Sequence, residues 1–155
     1  MKRNTTVAAI LTGGLIAGSL DLAQACILFG WRVPFGIAAG LLGPHHFHSP
    51  WIYALGIVLH FFIATTVTAI YYGASGRLHF LVEHPLVCGL FYGIAVELVM
   101  SYLVLPLSAL RARGPFELHD ILLGLGVHMV IIGLPVAYTV RHFRNKSPAT
   151  SAMSA

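Results

Sequence analysis

Four ionisable residues stand inside apolar sequence: Asp21, His60, Glu97 and His128. Each carboxylic acid is preceded by glycines, Gly14 and Gly18 before Asp21, Gly89 and Gly93 before Glu97. Each histidine follows a glycine four positions earlier, Gly56 before His60 and Gly124 before His128. Carboxylates opposite imidazoles can do three kinds of chemistry. They can hydrogen-bond across helices and fix their packing, which is the leading reading. They can relay a proton or couple a solute to one, since imidazole beside a carboxylate titrates near neutral pH. Alternatively, His60 and His128 could hold a haem b iron from opposing helices, with Gly56 and Gly124 providing room for the ring.

The surrounding stretches decide where this chemistry sits. Val7–Trp31, Trp51–Gly73, Leu86–Leu107 and Phe116–Val140 are each long enough to cross a hydrocarbon core, which takes about 20 residues. The chain of 155 residues is 57% hydrophobic and 9% charged, with a mean hydropathy of +0.83. Soluble domains carry about a quarter charged residues. The expected fold is therefore all-α: a polytopic transmembrane four-helix bundle occupying residues 1–146 as one domain, followed by a disordered tail at 147–155.

On a helix, Gly14, Gly18, Asp21 and Ala25 fall within about 60° of one another. That seam of small residues lets a second helix approach closely, and it turns the carboxylate inward. Counted from the outer helix ends, Asp21, His60 and Glu97 lie some ~14–15 Å deep and His128 slightly deeper, so the four form one layer. A charge there costs at least ~2.5 kcal/mol on insertion scales, so the four are expected to pair, lose their charge or be wetted.

The spans also read as two copies of one unit. Sliding span two onto span four by 68 positions superposes Leu55, Gly56, His60, Ile63 and Ala69 on Leu123, Gly124, His128, Ile131 and Ala137. A slide of 75 superposes Gly14 and Gly18 on Gly89 and Gly93. Two crossings per copy make the hairpins parallel, related by an axis along the membrane normal.

Between the first two spans, Phe35–Gly43 is apolar but too short to cross, and is expected to be an interfacial or re-entrant helix. His45, His46 and His48 in the following loop are a weak zinc or copper candidate; a plain polar loop is the simpler reading. Glu117 and Asp120 open span four, where the helix dipole favours acids, and Pro135 should kink that span. Cys26 and Cys88 fall near opposite faces and are not expected to pair. Ala23-Gln24-Ala25 before Cys26 imitates a signal-peptide cleavage site, but Asp21 interrupts the apolar core such a signal needs, and the span is expected to stay.

The sequence pI of about 9.4 arises from loops and tails. Lys2, Arg3, Arg77, Arg141, Arg144 and Lys146 fall on one side, Arg32, Arg111 and Arg113 on the other, which predicts both termini in the cytoplasm. No basic stripe interleaved with aromatics suits nucleic acid. Nor is there G-x-S-x-G, H-E-x-x-H or a cysteine pair at metal spacing, so no enzyme and no cofactor are expected. The lipid bilayer is the expected partner, with a homodimer or another membrane protein as a further one.

Several stretches together, AGSLD at Ala17–Asp21, IAAGLLG at Ile37–Gly43, LGIVLHFFIA at Leu55–Ala64, CGLFYGIAVELVM with LPLSA at Cys88–Ala109, and the run from His128 to Pro135, resemble a set of small four-span inner-membrane proteins of proteobacteria, loosely YagU-like. The resemblance covers nearly the whole chain. It implies the architecture and a bacterial inner membrane, and it transfers no catalytic residue.

Overall fold

The computed structural model describes residues 2–44, 49–111, 114 and 117–146. Its elements are α1 (Lys2–Phe29), α2 (Val33–Leu42), α3 (Pro50–Ser75), the single turn α4 (Phe80–Glu83), α5 (Pro85–Leu107) and α6 (Leu118–Asn145). Among the described residues there is no strand. Among the described residues four helices are long and apolar enough to cross a membrane: Asn4–Phe29 within α1, then α3, α5 and α6. Their outer faces are apolar, with Trp51 84% exposed, Ile27 81% and Leu107 77%. Water would not tolerate so much exposed apolar surface, whereas lipid solvates it, and the chain has the build of a membrane protein.

Each helix runs a little past its apolar sequence. α1 starts at Lys2 rather than Val7, and α6 ends at Asn145 rather than Val140, because polar ends leaving the hydrocarbon still gain by keeping their backbone hydrogen bonds internal. The proposed starting residue of span four, Phe116, lies outside the described residues, as do His45, His46, His48 and the tail 147–155.

Two prolines shape the second hairpin. Pro106 and Pro135 each follow a stretch of π-helix, Met100–Val104 in α5 and His128–Gly133 in α6. Proline offers no N–H and its ring clashes with the carbonyl four residues back, so a widened turn just before it relieves both problems. A π segment thus stands just before Pro135, where the sequence leads one to expect a kink.

α2 is the short helix anticipated at 35–43, and it is packed rather than free. Pro34, Ala38 and Ala39 are buried, and the backbone carbonyl of Pro34 occupies the space above Gly56 of α3. Phe35 meets the Tyr53 ring edge-on at 5.1 Å, and the Ala109 amide donates to the Gly40 carbonyl at 2.7 Å. α2 therefore ties the start of α3 to the end of α5. Gly56→Ala would place a methyl group against the Pro34 backbone. It should loosen α2 at a cost of about 1–3 kcal/mol, seen as faster proteolysis within residues 30–44.

At the opposite end, Arg144 of α6 caps α3. Its guanidinium donates to the Tyr72 carbonyl at 2.6 Å and to Ser75 Oγ at 3.2 Å, and it lies 3.9 Å from the centre of the Tyr72 ring. The Tyr72 hydroxyl in turn pairs with Thr6 Oγ1 at 3.1 Å, so the start of α1 and the ends of α3 and α6 share one face. A cation at the carbonyl end of a helix is favoured by the macrodipole. Arg144→Ala should lower the unfolding midpoint in micelles, with a loss of about 1–2 kcal/mol.

The buried apolar core of the bundle reaches from this face towards the polar layer. It contains Ala17 of α1, Tyr71 of α3, Val96 of α5 and Ile132, Val136, Ala137 and Val140 of α6. Two tyrosines spend their hydroxyls on backbone carbonyls there: Tyr71 donates to Leu81 at 3.0 Å and Tyr92 to Val67 at 2.7 Å. The second of these bonds joins α5 to α3, linking the hairpins.

Candidate functional site: an intramembrane acid and histidine layer

The glycine seams bring the helices together pairwise. A Cβ on Gly14 would lie 2.7 Å from the Thr65 Cα, and one on Gly18 would lie 3.0 Å from both Ala64 Cβ and the Phe61 ring, which seats α1 on α3. In the second hairpin, Gly89 faces Gly133 and Ala137, and Gly93 faces the backbone of His128 and Met129, which seats α5 on α6. The offsets of 75 and 68 read from the sequence relate these contacts too. Gly14 on Thr65 corresponds to Gly89 on Gly133, and Gly18 on Phe61 to Gly93 on Met129. The two hairpins thus share a packing register.

That register puts each acid beside a histidine. His128 Nδ1 stands 3.0 Å from Glu97 Oε2 and 3.0 Å from the Gly124 carbonyl. Both partners accept, so this nitrogen carries the proton and shares it between them. Ser101 Oγ donates to Glu97 Oε1 at 2.7 Å, so both carboxylate oxygens are engaged. Gly124 is small for the same reason: a Cβ there would lie 2.7 Å from Glu97 Oε1.

The first hairpin is arranged differently. His60 Nε2 donates to the Gly18 carbonyl of α1 at 2.8 Å, and stands 3.9 Å from Asp21 Oδ2, too far for a hydrogen bond. Asp21 lies within electrostatic reach of His128 and Glu97 as well as His60, which makes one cluster of the four. Their side chains are between 12% and 20% exposed, compared with 68% for the lipid-facing residues Phe62 and Phe91. The layer faces the bundle.

Asp120, one turn before Gly124, is not part of this layer. It pairs with its neighbour His119 at 3.2 Å on an exposed surface, as an acid in a first turn would. Among the described residues no group of three or more His, Cys, Asp or Glu side chains has the spacing to hold a metal ion. The haem reading fares worse, because it needs room at Gly56 and Gly124. The first is filled by the Pro34 backbone and the second by the Glu97 carboxylate, and His60 Nε2 is spent on Gly18. These residues do not fit a macrocycle between the two rings. Cys26 and Cys88 are both free thiols.

Three participants carry too little sequence signal to single out. Ser101 is an ordinary helical serine until it is seen four residues after Glu97, a spacing that puts both on one face. Gly133 falls outside the glycine-to-histidine pattern. The π segments could have been suspected from Pro106 and Pro135, each a few residues beyond the layer. No protein-family model, curated protein or solved structure matches the chain.

Proposed function

We propose that this is a multi-pass protein of a bacterial inner membrane, with both termini in the cytoplasm, in which the Asp21, His60, Glu97 and His128 layer serves as an internal clamp. The observation that supports the clamp is the matching of donors to acceptors between helices: His60 with Gly18, and His128 with Glu97. Orientation rests on the six Lys and Arg residues of the terminal side against three on the other, and the inner membrane on the likeness to small four-span proteobacterial proteins. Single cysteines placed near residue 4 and residue 146 should both resist a membrane-impermeant thiol reagent in intact cells and react after permeabilisation. Labelling of both in intact cells would reverse the orientation, and labelling of one alone would contradict four crossings.

A second reading draws on Asp21. His60 is committed to a carbonyl and stands 3.9 Å away, so this carboxylate is left over from the pairing and is free to exchange a proton or meet a polar solute. In proteoliposomes carrying a pH-sensitive dye, a proton leak above that of empty vesicles, lost in Asp21→Asn, would favour this reading. Equal leak in the two proteins and in empty vesicles would leave the clamp alone.

A further inference from the structure

The last three turns of α6 have two faces. Val136, Ala137 and Val140 are buried against the bundle, and Arg144 is drawn onto the end of α3 by Tyr72 and Ser75. These contacts fix the rotation of the helix. With the rotation fixed, Tyr138, His142, Asn145 and Lys146 are turned away from the bundle and Arg141 stands half-buried at the edge of that face, and the five line one shallow pocket of about 360 Å³.

The depth of this pocket follows from helix length. A hydrocarbon core of ~30 Å takes about 20 residues, and α6 has 28. Its C-terminal turns therefore stand among the lipid headgroups. Tyr138, at the inner end of the pocket, has the ring and hydroxyl of an interfacial anchor. Beyond it come two cations, an imidazole and an amide, all able to donate to phosphate oxygens. Neither Arg141 nor Lys146 is in an ion pair among the described residues.

We infer that this face binds the phosphate of an anionic phospholipid in the leaflet on the terminal side, with Arg141 and Lys146 supplying the charge and Tyr138 the contact with the glycerol region. Arg144 takes no direct part: it is committed to α3 and sets the angle at which the other two are presented. Charge complementarity selects an anionic headgroup over a zwitterionic one, because the described residues that line the pocket include cations and no carboxylate.

The test uses the full chain in detergent, with native mass spectrometry counting retained lipid. Each cation near an anionic surface is worth about fivefold in affinity. Phosphatidylglycerol should therefore bind more tightly than phosphatidylcholine, and the double variant R141Q/K146Q should lose on the order of twentyfold while keeping the parent's unfolding midpoint in phosphatidylcholine. Raising the salt should weaken the parent's binding and barely affect the variant's. Equal affinity for the two lipids, or an unchanged affinity in the double variant, would overturn the assignment. So would inorganic phosphate alone occupying the pocket as tightly as the lipid, which would make it a site for free phosphate.

Discussion

Gly133→Ala should separate α5 from α6 and cost about 3 kcal/mol or more. The added Cβ would fall on the Gly89 carbonyl, and the Gly93 backbone amide would be 3.0 Å away. Backbone cannot rotate aside as a side chain can, so the two helices must part along their seam. That movement would also draw Glu97 away from His128, since Gly93 sits against the backbone of His128 itself. Gly126, on the same helix, has nothing within 4 Å of its would-be Cβ. Gly126→Ala should be neutral or slightly stabilising, because alanine is the better helix former by up to about 1 kcal/mol. Denaturant titration of both variants in mixed micelles, followed by circular dichroism, reads the contrast directly. Equal midpoints would mean that the α5 to α6 seam is not where the structure puts it.

Glu97→Ala is expected to be the most damaging change in the polar layer. It removes the acceptor shared by His128 and Ser101 and opens a space beside Gly124. Leaving two donors unpaired in a low-dielectric interior costs about 1–3 kcal/mol for each group without a replacement partner. Some of that is recovered where a histidine keeps a carbonyl, as His128 keeps Gly124, so the net loss should be about 2–3 kcal/mol. Glu97→Gln retains the shape and one acceptor and should cost about half as much. Asp21→Ala should cost less than Glu97→Ala, because His60 takes its hydrogen bond from Gly18 and not from Asp21. That Glu97→Ala costs more than either Glu97→Gln or Asp21→Ala is itself the prediction, measured as unfolding midpoints under one set of conditions.

The layer was legible in the sequence because a bilayer makes ionisable residues rare. Once four apolar spans were marked, Asp21, His60, Glu97 and His128 were the acids and histidines left away from the span ends, Glu117, His119 and Asp120 falling in the opening turn of the fourth, and the glycine spacing said which faces met. Depth put acids and histidines at one level, but of the two hydrogen bonds expected between them only that of His128 to Glu97 is made, while His60 turns to the Gly18 carbonyl. What did not follow was the inequality of the two pairs. A glutamate is one methylene longer than an aspartate, and Glu97 reaches His128 where Asp21 stops short of His60, but the backbone separation that decides this is invisible in a string of letters. Gly56 and Gly124 were read as room for a ligand. They make room for protein, the one for the Pro34 carbonyl and the other for the Glu97 carboxylate, because small residues in a membrane bundle are filled by whatever neighbour can approach. The π segments were missed since the local sequence before Pro106 and Pro135 is ordinary helix, and only the ring at the proline forces the wider turn. Arg144 was read merely as one of the positive charges that set orientation, and its bonds to Tyr72 and Ser75 join residues about seventy positions apart.

The claim on which the rest hangs is that side chains from different helices hold one another inside the membrane, and a double-mutant cycle on Glu97 and His128 tests it most directly. With Glu97→Ala, His128→Ala and the pair measured in one lipid mixture, the account predicts a coupling of about 1–2 kcal/mol, near the upper range for such contacts in membranes. Single losses that simply add, to within about 0.5 kcal/mol, would contradict it.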